Sequence, residues 1–365
     1  MSEAIDHNRR RVMVASLITL AAAGISKPGA VGAESSFSPA DARAQEKGAL
    51  YGFGGANAWL NSPALGAAEL RGKVVLVQFW TYTCVNWLRT LPYLRAWTEK
   101  YKDHGLVVVG VHTPEFEFEK NLDNVRAALK DMRVTYSVAI DNGYMVWRAF
   151  SNNAWPAVYL IDARGRVRYR HLGEGEYEHT EQAIQQLLTE AGNADVAGGL
   201  VSVEARGVEA AADLASLRSG ENYLGSERTE NFASPGGKGY GQRRAYRVPD
   251  RLALNHWALR GDWTQAGGFV ALNKPNGRIA YRFHARDVNL VMGPAVRGNA
   301  VRFRVLVDGK PPGAAHGVDV DEQGNGTVTG QRLYQLIRQS QPITDRQFEI
   351  EFLDSGVEAF AFTFG

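Results

Sequence analysis

The run Val74-Val75-Leu76-Val77 is uninterrupted β-branched and aliphatic residue, the pattern of a strand buried on both faces. Gln78-Phe79-Trp80-Thr81-Tyr82-Thr83-Cys84 follows, and a helical pattern runs from about Asn86 to His104. The only cysteine of the chain therefore stands where a buried strand turns into a helix. Unpaired N–H groups and the helix dipole make such a position favourable for a thiolate. A C-x-x-C pair is absent, because Trp87 occupies the place of a second cysteine. One cysteine also rules out an internal disulfide and any cysteine-rich zinc or iron–sulfur site.

The first residues read as an export signal. Arg9-Arg10-Arg11 precedes an uncharged stretch, Val12 to Ser26, and small residues end at Ala33. Asn8-Arg9-Arg10-Arg11-Val12-Met13 resembles a twin-arginine signal. The uncharged stretch falls short of the ~20 residues needed to span a bilayer, and no later stretch qualifies. These features predict a signal peptide over 1–33 and a mature chain in the periplasm or secreted, with no membrane span. Residues 34–58 read as an N-terminal tail.

Strands and helices then alternate. Leu106 to Val111 is a second buried strand, and Glu119 to Met132 reads as a helix with Leu122, Val125, Leu129 and Met132 on one face. Tyr136 to Ile140 reads as a strand and Tyr144 to Phe150 as a short helix. Ala157–Ile161 and Val167–His171 flank the turn Asp162-Ala163-Arg164-Gly165, and a closing helix runs from His179 to Ala191. Residues 59–192 are thus expected to form an α/β domain. Residues 193–220 read as a linker, with a short helix from Glu209 to Leu217.

From 221 to 365 the period changes to two. Phe303, Val305 and Val307 alternate with Arg302, Arg304 and Leu306, and Phe360, Phe362 and Phe364 repeat the pattern. Turns at Asp308-Gly309 and Asn325-Gly326 separate the runs, which predicts an all-β sandwich of jelly-roll type. Asp319, Asp321 and Gln323-Gly324 lie at the spacing of a calcium loop, but Gly330 stands where its bidentate Glu belongs. A hairpin turn is the better reading. Trp257, Trp263 and Tyr240 are candidates for a sugar-stacking face, against the plainer reading as core aromatics. His112, near a strand end, is either a site residue or a packed one. The 41 basic and 39 acidic residues give a net charge of +2, which argues against a nucleic-acid partner.

Leu70-Arg71-Gly72-Lys73-Val74 through Trp80 resembles the first core strand of thioredoxin-like proteins of the TlpA/redoxin type. Phe79 to Cys84 with Pro92, Gly110-Val111-His112-Thr113-Pro114-Glu115-Phe116, and Trp155-Pro156-Ala157-Val158-Tyr159 are more specific. They resemble the extracytoplasmic thioredoxin-like part of the DipZ family. The C-terminal run, including Tyr281 to Asp287 and Phe360 to Gly365, is similar to the carbohydrate-binding-module-like sandwich of that family. The resemblance does not extend to the family's membrane electron-transfer domain.

The resemblance implies a thioredoxin fold followed by the β-sandwich. It makes Cys84 the nucleophile, and Pro156 the cis-proline that leaves the neighbouring backbone open to a bound peptide strand. Trp80, Thr83, Trp87 and Trp155 are expected to line the substrate groove with Pro156. The implied function is thiol oxidoreductase, acting through one cysteine by mixed-disulfide or sulfenic acid chemistry. No cofactor and no metal is assigned. The expected partners are extracytoplasmic protein thiols and disulfides or a small thiol, with glycan as a ligand of the sandwich. Two other readings stand beside it. One is a redox-inactive scaffold with a glycan- or protein-binding sandwich. The other is a monothiol peroxidase, suggested by the Thr81-x-x-Cys84 spacing.

Overall fold

A computed structural model of the chain describes residues 49–365. The signal segment at 1–33 and most of the tail lie outside the described residues. By density of contacts the chain divides into two units, which do not follow the order of the sequence. The first holds the described residues up to Trp80 together with Trp97–Thr113 and Thr135–Val201. The second joins Thr81–Ala96 and Pro114–Val134 to Ser202–Gly365.

The first unit is built on a six-stranded sheet of order β1-β4-β3-β2-β5-β6. Its strands are β1 (Ala58–Leu60), β2 (Val74–Trp80), β3 (Leu106–His112), β4 (Ser137–Ile140), β5 (Ala157–Ile161) and β6 (Val167–Leu172). The central trio β2, β3 and β4 is parallel, and β1, β5 and β6 run antiparallel to their neighbours. This is the thioredoxin arrangement. All seven residues of β2 are buried, as a central strand covered on both faces requires. Phe53, Val75, Val77, Phe79, Val109, Val111, Val146, Phe150 and Tyr159 form one core cluster of this unit.

The helices are α1 (Ala67–Leu70), α2 (Val85–Tyr101), α3 (Leu122–Asp131), α4 (Met145–Ala149) and α5 (Tyr177–Glu190). α3 begins later than its apolar periodicity suggests. The Asn121 side chain accepts the Asp123 N–H at 2.9 Å and caps the helix there, while Glu117–Lys120 forms a separate 3-10 turn. The helix expected over 209–217 does not form. A 3-10 turn at Gly207–Glu209 takes its place, and the backbone after it is irregular; arginine side chains bond to both. Arg286 donates to the Ala211 carbonyl at 2.7 Å, and Arg338 to that of Gly207 at 2.9 Å.

The C-terminal part of the second unit is all antiparallel β. Its strands are β7 (Asn222–Tyr223), β8 (Arg243–Tyr246), β9 (Trp257–Gln265), β10 (Val270–Leu272), β11 (Gly277–Phe283), β12 (Asp287–Pro294), β13 (Val301–Val307), β14 (Asn325–Val328), β15 (Arg332–Arg338), β16 (Arg346–Phe352) and β17 (Val357–Phe364). They form one continuous eleven-stranded sheet in which β9 belongs to both halves. Trp257–Arg260 of β9 pairs with β11, and Trp263–Gln265 pairs with β10. The change of partner falls at Gly261, whose φ of +101° suits glycine and whose missing side chain lets Gly277 approach. Residues of both halves share a single core, which makes the arrangement a sandwich.

Trp257 and Trp263 lie in that core with no exposed surface. They cannot stack a sugar, and the plainer reading as core aromatics holds for both. Tyr240 alone of that trio is exposed. The segment around Asp319 is a turn. Asp319 accepts from Arg332 at 2.6 Å and from the Gln335 N–H at 2.8 Å, and Asp321 accepts the Asn325 N–H at 2.7 Å.

Candidate thiol site

β2 ends at Trp80, and Thr81–Thr83 turns the chain into α2. The Cys84 N–H donates to the Thr81 carbonyl at 3.2 Å, which closes the turn. The Cys84 carbonyl accepts the Leu88 N–H at 3.0 Å, the first bond of the helix. Cys84 thus occupies the cap position of a 17-residue helix. It is half-buried and in no disulfide. Pro92 lies inside α2, where its missing N–H leaves the Leu88 carbonyl without its usual helical donor.

Three residues past Cys84, Trp87 is fully buried. The position of a second sulfur is filled by a large apolar ring. Thr83 is buried beside the thiol, and its hydroxyl donates to the Glu119 carboxylate at 2.5 Å. The other Glu119 oxygen accepts the N–H groups of Glu115 at 2.6 Å and Phe116 at 2.9 Å. One carboxylate therefore ties the turn before α2 to the loop before α3. Burial of Glu119 pushes its carboxyl up to about 7, against the hydrogen bonds from Thr83 and the Phe116 backbone. Burial, reinforced by the Glu119 charge, raises the neighbouring Tyr82 hydroxyl as well.

Sequence reasoning placed Glu119 at the start of a helix and missed this role. A signal was present. In Glu115-Phe116-Glu117-Phe118-Glu119, acids alternate with rings, a pattern that suits an extended or tight segment better than a helix.

Trp80, Trp155 and Pro156 belong to the first unit. Trp80 is fully buried, and its indole lies where a Cβ on Gly110 would come within 2.7 Å, so residue 110 must be glycine. His112 is buried against Trp80, ring centroids 4.8 Å apart, and desolvation lowers it to about 3, so it stays neutral. It packs. The Trp155–Pro156 peptide is cis. The Trp155 indole N–H donates to the Thr113 carbonyl at 3.1 Å, and its ring lies 4.3 Å from that of Trp147. Of the residues expected to line a groove, Trp155 keeps partial exposure, while Trp80, Thr83, Trp87 and Pro156 are buried.

A thioredoxin-type sheet, a half-buried cysteine capping the helix after β2, and a cis-proline before β5 define a thioredoxin-like redoxin. Residues 60–188 match the Redoxin family, and residues 219–365 match the family described as thioredoxin like C-terminal domain. The chain is similar to protein DipZ of Mycobacterium tuberculosis, with 34% identity over 317 residues, 85% of this chain and 42% of that protein. It thus spans about two fifths of the length of this relative. The thiol-disulfide oxidoreductase YkuV of Bacillus subtilis is 26% identical over 136 residues, 37% of this chain and 91% of that one. Among solved structures, a thioredoxin-family thiol:disulfide interchange protein from Chlorobium tepidum aligns with a TM-score of 0.33. It is 21% identical and covers 36% of this chain and 92% of its own.

Proposed function

We propose that this chain is a thiol oxidoreductase that works through Cys84 alone, by mixed-disulfide exchange with protein or small-molecule disulfides. The carrying observation is the pairing of a half-buried Cys84 at the helix cap with a fully buried Trp87 three residues on. The nucleophile's position is kept, and the resolving position is packed shut. The likeness to YkuV, a thiol-disulfide oxidoreductase, supports the reaction class.

The reaction balances with a disulfide as oxidant. Deprotonated Cys84 attacks one sulfur of R–S–S–R′. A bond from Sγ to the R sulfur forms, the S–S bond breaks, and R′S⁻ leaves and takes a proton from water. A second thiol, R″SH, then attacks the mixed disulfide, restores Cys84 and leaves as R–S–S–R″. The chain contributes no internal resolving step, so an external thiol must complete each cycle. The same reading places the chain outside the cytoplasm, where protein disulfides persist. The basic and then apolar order of residues 9–26 supports that location.

Oxidised glutathione tests the reading. Intact-mass spectrometry is expected to find one glutathione adduct per native chain, removed by added thiol and absent from Cys84→Ser. A native chain that takes up no glutathione, while the same chain does so once unfolded, would contradict it and leave a binding scaffold as the function.

A further inference from the structure

The helix start that carries Cys84 and the loop that carries Glu119 both touch the last strand of the C-terminal sandwich and residues beside it, all within the second unit. The loop that carries Glu119 docks through two rings. Phe116 and Phe118 stack on each other at 5.5 Å, and Phe360 of β17 meets them at 5.4 and 4.7 Å. Beside these rings the Glu115 carboxylate accepts the Tyr223 hydroxyl and lies 3.4 Å from Arg228. The Arg228 guanidinium in turn covers the Tyr223 ring at 3.3 Å. A second contact falls on α2 itself. Arg89, just over one helical turn from Cys84 and only 4% exposed, donates to the carbonyl of Phe364 at 3.3 Å.

Both contacts lead to β17, through Phe360 and Phe364. From Phe360 a short path runs to the thiol: the Phe116 and Phe118 rings, the Glu119 carboxylate, Thr83, and then Cys84. Each step is a ring contact, a hydrogen bond or a peptide bond. Phe360 is itself buried, so the docking removes apolar surface from water and is not an incidental touch.

We propose that β17 of the C-terminal domain positions the Cys84 turn, with Phe360, Tyr223 and Arg89 as positioning residues. The sandwich then belongs to the thiol site and sets how tightly the turn is held. This deepens the reading of Cys84 given above and relies on it only for the reaction that the turn serves.

The test compares the full chain with Phe360→Ala and with Tyr223→Phe, which removes one hydroxyl and keeps the ring under Arg228. Hydrogen–deuterium exchange of amides 81–90 and 114–120 is expected to rise by about threefold or more in Phe360→Ala, and less in Tyr223→Phe. Cys84 alkylation by iodoacetamide is expected to quicken in the same order, and Phe360→Tyr to restore both. Phe303→Leu, in a strand whose partners are β14 and β16, serves as the stability control. It is expected to lower the melting temperature while leaving both readouts unchanged. Unchanged exchange and alkylation in Phe360→Ala, or equal changes in Phe303→Leu, would overturn the proposal. Uptake of glutathione by the unsubstituted chain tests the thiol reading alone, so the two can fail separately.

Discussion

At the scale of single residues, Glu119 and Trp87 define the site more than their sequence context suggests. Glu119 has no exposed surface, yet it carries a carboxyl group whose two oxygens accept three hydrogen bonds, from the Thr83 hydroxyl and the Glu115 and Phe116 N–H groups. Its folded value is raised to about 7 from an ordinary 4.5. The folded state therefore holds a proton that the unfolded state has lost between these values, and stability falls as pH rises through that window. Above about pH 7 the full cost, on the order of 3 kcal/mol, is present. Glu119→Gln removes this dependence, and the Thr83 hydroxyl can turn to accept from the new amide. The melting temperature of the variant minus that of the unsubstituted chain is expected to increase from pH 4.5 to 7 and then level off. A difference that is flat with pH, or that declines, would contradict a protonatable buried Glu119. His112 has the opposite sign. Its value is lowered to about 3, so its contribution is lost as pH falls below the unfolded value near 6.5. Because it is common to both proteins, it cancels in the difference.

At the scale of elements, much was legible because it is periodic. The full burial of β2 follows from its unbroken apolar run, and the alternation of Phe303, Val305 and Val307 with arginines gives β13 its inner and outer faces. The position of Cys84 at a strand-to-helix junction could likewise be read directly. What could not be read depends on contacts distant in sequence. Phe116 and Phe118 meet Phe360 more than two hundred residues on, and nothing local marks those rings as partners. The start of α3 moved for a local reason, the Asn121 cap, which competes with periodicity. The linker helix expected over 209–217 gives way to a 3-10 turn at its start, and Arg286 of the sandwich takes the Ala211 carbonyl. α2 carries a prediction of its own. Trp87 fills core volume, so Trp87→Cys, which would complete a C-x-x-C spacing, opens a cavity. Its loss should cost roughly 3–5 kcal/mol, read as a lower urea midpoint at unchanged slope. An unchanged midpoint would mean that the indole is not packed as described.

At the scale of the whole molecule, the chain joins a thioredoxin-type sheet to an antiparallel sandwich, and its compact units cut across that order. The helix start bearing Cys84 and the loop bearing Glu119 cluster with the sandwich and not with the six-stranded sheet. No helix among the described residues is long and apolar enough to cross a membrane. On this account the molecule is a one-thiol exchanger whose fold prepares Cys84 for attack on a disulfide. The most direct measurement is the rate of mixed-disulfide formation between Cys84 and oxidised glutathione at neutral pH, for the native chain and for the same chain in denaturant. The account predicts that the native thiol reacts faster than the unfolded one, despite its partial burial. A native rate equal to or below the unfolded rate would contradict it, because the fold would then merely bury the cysteine.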